Sequence, residues 1–250
     1  MKRVVKGHEP ENLAHFRKEN PEATWEEMRN DALCDGQQAY RDCRVQTIAD
    51  QHGLCAYCEC KIDIAIPHEC RVEHIHPKSD TSTDHNWHLD WQNMLATCNG
   101  GETKGSKHTP LPQNLSCDAH KKNCVIDVTP LHMPAFPSIF SLTTQNGNIG
   151  YLEPNQTACT QASIDTQALG KTITTLNLNC NRLVREREKV ILDIEKKKEE
   201  LRLQGYTSDA AKPLLIERYF SVVWPEFFTT IRCCLGQTAE DYLRSVNYNG

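Results

Sequence analysis

Apolar positions recur with a helical period at both ends of this chain and fall into short, turn-bounded runs in its middle. Near the start, Pro21-Glu22-Ala23-Thr24-Trp25-Glu26-Glu27 sets Thr24 three residues before Glu27. That is the reciprocal spacing of a capping box, and it predicts a helix beginning at Trp25. Residues 37–51 predict a second helix, closed by Gly53 just past its end. From about Asp165 onward the period is helical again. Ile173, Leu176, Leu183, Val184, Val190, Ile191 and Ile194 form an apolar stripe, and the Glu, Lys and Arg residues of 185–204 cover the opposite face. Between the helical ends, Val125-Ile126-Asp127-Val128 and residues 138–142 predict short strands, and Gln145-Asn146-Gly147-Asn148 is a hairpin turn signal. The pattern predicts an α+β chain in three parts: an N-terminal helical segment (1–53), a compact unit (54–125), and short strands followed by helices (126–250).

The compact unit carries the chemistry. Cys55-Ala-Tyr-Cys58 is a turn that points two sulfurs at one spot, the first half of a tetrahedral zinc site. Cys98 follows, but no further cysteine comes until Cys117. Residues 99–116 are expected to form a loop inserted between two zinc ligands. Such an insertion costs little because closure entropy grows only logarithmically with length, and its Gly, Pro, Asn and Ser content suits a loop. Cys55, Cys58, Cys98 and Cys117 are therefore the expected structural zinc ligands, with Cys60, Cys70 and Cys124 as rivals. A unit this small buries too little apolar surface to fold alone, so the metal would supply folding energy.

A second, hard cation, Mg²⁺ or Mn²⁺, would need carboxylate oxygens and open positions, and Glu73 and Asp118 are the candidates. Glu73 and His74 lie where a strand must end, since Pro77 cannot join a ladder. His74 is the expected general base, as a side chain that titrates near neutral pH. Asn93, on an expected helix, would hold the His74 loop by amide hydrogen bonds. Lys121 is the candidate phosphate contact, and His76 and Lys78 flank the strand end near the substrate backbone. His85-x-x-His88 reads as a solvated loop.

Each feature alone has a plainer reading. Cys-x-x-Cys is as often a zinc ribbon, a redox motif or chance, and a histidine beside proline is usually a surface residue. A zinc-scaffolded binding module without catalysis would need the cysteines but not His74. A thiol-redox protein would need low-pKa cysteines and no bound metal. The ordered combination favours a metal-dependent enzyme that cuts phosphodiester bonds.

Composition narrows the setting. With 250 residues, 38% hydrophobic and 24% charged, the chain is ordinary globular protein rather than disordered. Thirteen cysteines without a secreted spacing pattern, and no apolar N-terminal signal or membrane-length run, point to a reducing cytoplasm. Cys34, Cys43, Cys159, Cys180, Cys233 and Cys234 read as small core residues. A net charge of −5 is wrong for a protein that seizes nucleic acid by neutralising phosphates alone, and implies a partner for substrate capture. Tyr219, Phe220, Val222, Val223, Trp224, Phe227, Phe228 and Ile231 form an aromatic-rich patch read first as core and second as a docking surface.

The order Cys-x-x-Cys, Glu-His-x-x-Pro-Lys-Ser, Asp-Trp-x-Asn-x-Leu, Cys-Asn-Gly, Cys-Asp-x-x-Lys resembles the PtuB family of HNH nucleases from Septu and retron-associated antiphage systems. The flanks agree, through residues 1–6 with Glu9-Pro10, Gly147-x-Ile149, and Thr172-Ile173-x-x-Leu176-Asn177-Leu178-Asn179 with Arg187. The resemblance implies a ββα-metal unit, zinc on Cys55, Cys58, Cys98 and Cys117, and catalysis by Glu73, His74 and Asp118. It also implies a PtuA-type ATPase partner and, in retron systems, a reverse transcriptase with its DNA product. Glu replaces the usual Asp at 73, and Asp the usual Asn or His at 118. The residues alone do not separate substrates; DNA is favoured, with RNA such as tRNA the alternative.

Overall fold

The computed structural model of the protein describes residues 1–33, 35–66, 69–102, 112–220 and 223–250. Three helices open the chain: α1 (Glu11–Glu19), α2 (Trp25–Asn30) and α3 (Gly36–Asp50). The capping box forms at α2, where Thr24 Oγ1 accepts the Glu27 N–H and the Glu27 carboxylate accepts the Thr24 N–H. Leu13, Phe16, Trp25, Met28, Ala39 and Cys43 bury together with Leu89, Trp91 and Met94 of the central unit. The helical segment is thus one wall of that unit. Just past α3, Gly53 turns the chain at φ +75°, a region open to glycine at no steric cost.

The central unit is an antiparallel hairpin followed by a short helix. β1 (Cys70–His74) pairs with β2 (Met94–Cys98), with Glu73 opposite Leu95 and His74 opposite Met94. β1 stops three residues before Pro77, as expected. Asn93, expected on a helix, instead ends one 3₁₀ turn, Trp91–Asn93, and the chain runs directly into β2. Asp90 caps that single turn by accepting the Gln92 N–H. All five residues of β2 are buried, and a short apolar run of this kind looks the same in a buried strand and a buried helix. The outer edge of β2 is covered: the Gln51 amide donates to the Ala96 carbonyl at 2.7 Å and accepts the Ala96 N–H at 2.8 Å.

α4 (Cys117–Lys121) completes the unit after a 3₁₀ turn at Pro112–Asn114. The ends of the 99–116 insertion meet: the Ser116 N–H donates to the Gly100 carbonyl at 2.9 Å. Only glycine fits at 100, where φ is +66° and an added Cβ would lie 2.2 Å from the Ser116 carbonyl oxygen. This closure sets Cys98 beside Cys117; residues 103–111 of the expected loop lie outside the described residues.

Beyond the unit, β3 (Phe140–Gln145) and β4 (Asn148–Pro154) form a second antiparallel hairpin. Its turn places Asn146 at φ +50° and Gly147 at φ +80°, as a two-residue hairpin with native twist requires. The expected strand at 125–128 is absent: Ile126 and Val128 bury in the core, Val125 is half exposed, and the Val128 N–H is satisfied by Thr172 Oγ1 rather than a ladder. Helices follow: α5 (Gln156–Gln161), α6 (Thr166–Thr175), α7 (Asn181–Leu203), α8 (Ser208–Phe220), α9 (Phe228–Leu235) and α10 (Gln237–Ser245). Asp165 caps α6 by accepting the Gln167 N–H.

The largest apolar cluster joins Tyr57, Leu95 and Ala96 of the central unit to Ile126, Phe140, Leu152, Leu169, Ile173 and Leu183. The core therefore runs straight across the expected boundary at 125/126. A second cluster unites Ile194 of α7 with Leu215, Phe220, Phe228, Ile231 and Leu243. Most of the aromatic-rich patch is spent in these cores; Val223 remains exposed, and Val222 lies outside the described residues, as does Cys34. Cys43, Cys159 and Cys180 are buried, and Cys233 and Cys234 partly so. Among the described residues no helix is long and apolar enough to cross a membrane.

Candidate active site

The turn after α3 and the closed insertion bring four sulfurs together. Cys55, Cys58, Cys98 and Cys117 place their sulfurs within 4.8 Å of one another. Cys58 and Cys98 are 3.5 Å apart, and Cys117 is 3.8 Å from both Cys55 and Cys98. A tetrahedron with zinc–sulfur bonds of about 2.3 Å has edges of about 3.8 Å, whereas a disulfide needs about 2.05 Å. The spacing fits a four-thiolate metal site. Hydrogen bonds from Cys117, Cys55, Cys60 and Cys98 hold the Cys58 thiol well below its usual range, while Cys98 and Cys117, which share those bonds, are pushed well above theirs. The Gly100 N–H adds a contact to Cys98 Sγ at 3.4 Å. The rivals Cys60, Cys70 and Cys124 are outside this group.

Strand alternation separates Glu73 from His74. Glu73 is buried and faces Lys121, whose Nζ lies 2.7 Å from Oε1, and the Tyr57 hydroxyl, which donates at 3.3 Å. Burial first, and then the neighbouring Asp118 charge, push the Glu73 carboxyl up to about 8 despite Lys121. Glu73 and Asp118 are close enough to repel each other's charge, and two neighbouring carboxylates are a donor set that a divalent cation satisfies. Lys121 itself is fully buried and also donates to the His74 carbonyl at 3.2 Å. It is therefore no exposed phosphate contact: it anchors Glu73 and ties α4 to the end of β1.

His74, the last residue of β1, turns its ring away from Glu73 and Asp118 and touches neither, so the two faces reach one phosphodiester only around the strand end. Nε2 lies 3.0 Å from the His88 carbonyl oxygen, and the Trp25 ring stands edge-on at 5.0 Å. Burial holds the imidazole down at about 4, so it is neutral at physiological pH rather than titrating there. Asn93 spans the loop between: Oδ1 accepts the His76 N–H at 2.7 Å, and Nδ2 donates to the carbonyls of His76 and Trp87, both at 3.0 Å. His76 and Lys78 are engaged by Asp80 and Glu26. His85 and His88 do not pair: His85 reaches Asp90, and His88 Nδ1 accepts the Trp25 N–H.

Three residues of this site escape the motif reading. Arg71 shares the Glu73 face of β1, an i, i+2 relation the strand pattern already contains. Tyr57 sits between the two cysteines of the turn. Trp25 comes from α2, and no local signal links it to His74. No protein-family model matches the chain. A protein of Escherichia coli named "Retron Ec83 putative HNH endonuclease" is 37% identical over 211 residues, covering 76% of this chain and 79% of that one. Likeness of that extent, together with a hairpin and helix joined by four clustered cysteines, assigns this enzyme to the HNH endonucleases.

Proposed function

We propose that the protein hydrolyses phosphodiester bonds at the site formed by Glu73, His74 and Asp118, as the toxic effector of an antiphage defence complex. The observation that carries the chemistry is the His74 ring. A carbonyl oxygen only accepts, so the 3.0 Å contact to His88 assigns the ring proton to Nε2 and leaves the Nδ1 lone pair as the base. His74 takes the proton of the attacking water; the water oxygen bonds to phosphorus and the 3′ oxygen departs. Glu73 and Asp118 would hold a divalent cation, Mg²⁺ or Mn²⁺, which when bound neutralises charge on the phosphate and the leaving oxygen. Lys121 and Tyr57 fix Glu73, and Asn93 fixes the His74 loop. Zinc on Cys55, Cys58, Cys98 and Cys117 is structural.

The relative's name places that protein with a retron, and the same association for this chain brings a reverse transcriptase and its DNA product as partners, beside a PtuA-type ATPase. The formal charge of −5 supports dependence on such a partner for holding phosphates. DNA is the favoured substrate, RNA such as tRNA the alternative, and the cytoplasm the setting.

The test is co-expression with the neighbouring gene products, followed by cleavage assays on duplex DNA, single strands and tRNA with Mg²⁺ or Mn²⁺. The complex should cut, and His74→Ala should lose about 10²- to 10⁴-fold in rate with fold and zinc content kept. Wild-type cleavage by His74→Ala would sink the mechanism. Rapid cutting by the purified chain alone at physiological salt would sink the dependence on a partner.

A further inference from the structure

We infer that Arg71 binds a substrate phosphate at this site and is held in reserve by Glu102 until a nucleic-acid strand replaces that carboxylate. The inference rests on the nuclease reading of Glu73, His74 and Asp118. With Lys121 buried against Glu73, the face that meets a phosphodiester needs another cation. Arg71 stands there: it shares a strand face with Glu73, its Nη1 is 3.5 Å from Asp118 Oδ2, and its Nη2 contacts Glu102 Oε2.

Exposure separates the two cations. The Arg71 side chain is 30% exposed, against none for Lys121. Glu102 is 43% exposed, so its hold on Arg71 is a screened surface pair that another anion can displace at little cost. The guanidinium fork suits phosphate as well as it suits carboxylate. A cation between Glu73 and Asp118 would also take up the charge that Asp118 now shows to Arg71.

Glu102 is not placed there by Arg71. It ends a turn that starts at the zinc ligand Cys98 and is fixed by its own hydrogen bonds, Glu102 N–H to the Asn99 carbonyl and Gly101 N–H to Asn99 Oδ1, both at 3.1 Å. Ser116 N–H to the Gly100 carbonyl at 2.9 Å locks that turn to the start of α4. The backbone of the turn is held by these bonds without Arg71. A carboxylate preset over a phosphate-binding arginine excludes weak anions and yields to a polyanion. The contact reads backbone, not sequence.

The experiment measures binding of a fluorescent oligonucleotide, duplex and single-stranded, as a function of salt, using the assembled complex in a His74→Ala background that holds substrate without cutting. Arg71→Ala should weaken binding about tenfold and make the plot of log K against log salt shallower by about 0.9 for duplex or about 0.7 for single strands. Glu102→Gln should act in the opposite direction and tighten binding, while zinc content and thermal midpoint stay at wild-type values in both. Arg71→Lys should keep the salt slope and recover part of the affinity. An unchanged slope in Arg71→Ala overturns the assignment, as does a lowered midpoint in both variants with no effect on binding. If the His74→Ala parent still cuts, the nuclease reading itself fails; if it is inert and only the Arg71 effects are missing, the failure belongs to Arg71 alone.

Discussion

Asn93 offers the sharpest test of how the fold positions His74, the proposed base. It is buried and makes three hydrogen bonds, two donated to the carbonyls of His76 and Trp87 and one accepted from the His76 N–H. Asn93→Ala strands all three backbone groups. At about 1 kcal/mol net for each bond, the variant should lose about 3 kcal/mol. A chain of this length shifts by about 2–4 °C per kcal/mol, so the midpoint should fall by about 6–12 °C. The damage should concentrate between β1 and β2, where His88 supplies the carbonyl that fixes the His74 ring. A displacement of about 1 Å there costs about 10²-fold in rate. Asn93→Asp keeps the acceptor for His76 but sets a carboxylate against two carbonyls, and should do no better than Ala. Thermal unfolding with zinc saturating, amide exchange at His76, and single-turnover cleavage measure the three consequences. A variant that loses cleavage while its midpoint and the His76 amide stay protected would mean that Asn93 acts on the substrate instead.

Two further predictions follow from the same geometry. The chain should bind about one zinc, and Cys117→Ser should lower the midpoint and zinc content as much as Cys58→Ser, while Cys60→Ser spares both; full zinc in Cys117→Ser would refute the four-sulfur assignment. Lys121→Met should cost about 3 kcal/mol, the lower end for breaking a buried pair, because a Glu73 carboxyl pushed up to about 8 already holds a proton at neutral pH, with the substrate KM little changed; an intact midpoint with a raised KM would return Lys121 to the role of phosphate contact.

What the sequence made legible is whatever has a local cause. The capping box at Thr24 and Glu27 and the Asn146-Gly147 turn each depend on a few adjacent residues, and each forms where expected. The four cysteines were readable because zinc geometry prescribes ligand type and number, even with 18 residues between the last two. Asn93 misled because a capped turn followed by an apolar run has the composition of a helix; pairing with β1, decided at Cys70–His74, makes the run a strand. Lys121 misled because a lysine after Asp118 in a nuclease motif suggests phosphate, and only the fold shows that α4 turns it inward to Glu73. The strand expected at 125–128 failed for want of a partner, since hydrogen bonding to Thr172 satisfies Val128 from a helix 44 residues away.

Glu59 shows why the four-cysteine site matters beyond its own unit. It follows Cys58 directly, is buried, and adopts φ +65°. Its carbonyl accepts the Phe227 N–H at 3.1 Å, and its carboxylate accepts the Thr229 N–H at 2.9 Å and the Thr229 hydroxyl at 2.5 Å. The Met1 amine lies 3.0 Å from the same carboxylate. A buried carboxylate is tolerated only when its oxygens are paired and hydrogen-bonded in this way. Residues 1, 59 and 229 thus meet at one charge, and that charge is placed by the turn that zinc would close. α9 begins there and carries Phe228 and Ile231 into the second apolar cluster. Loss of a metal there would therefore release more than a hairpin: it would free the anchor on which the first residues and the C-terminal helices converge, which is why the cysteine variants should unfold the chain as a unit rather than loosen the active site alone.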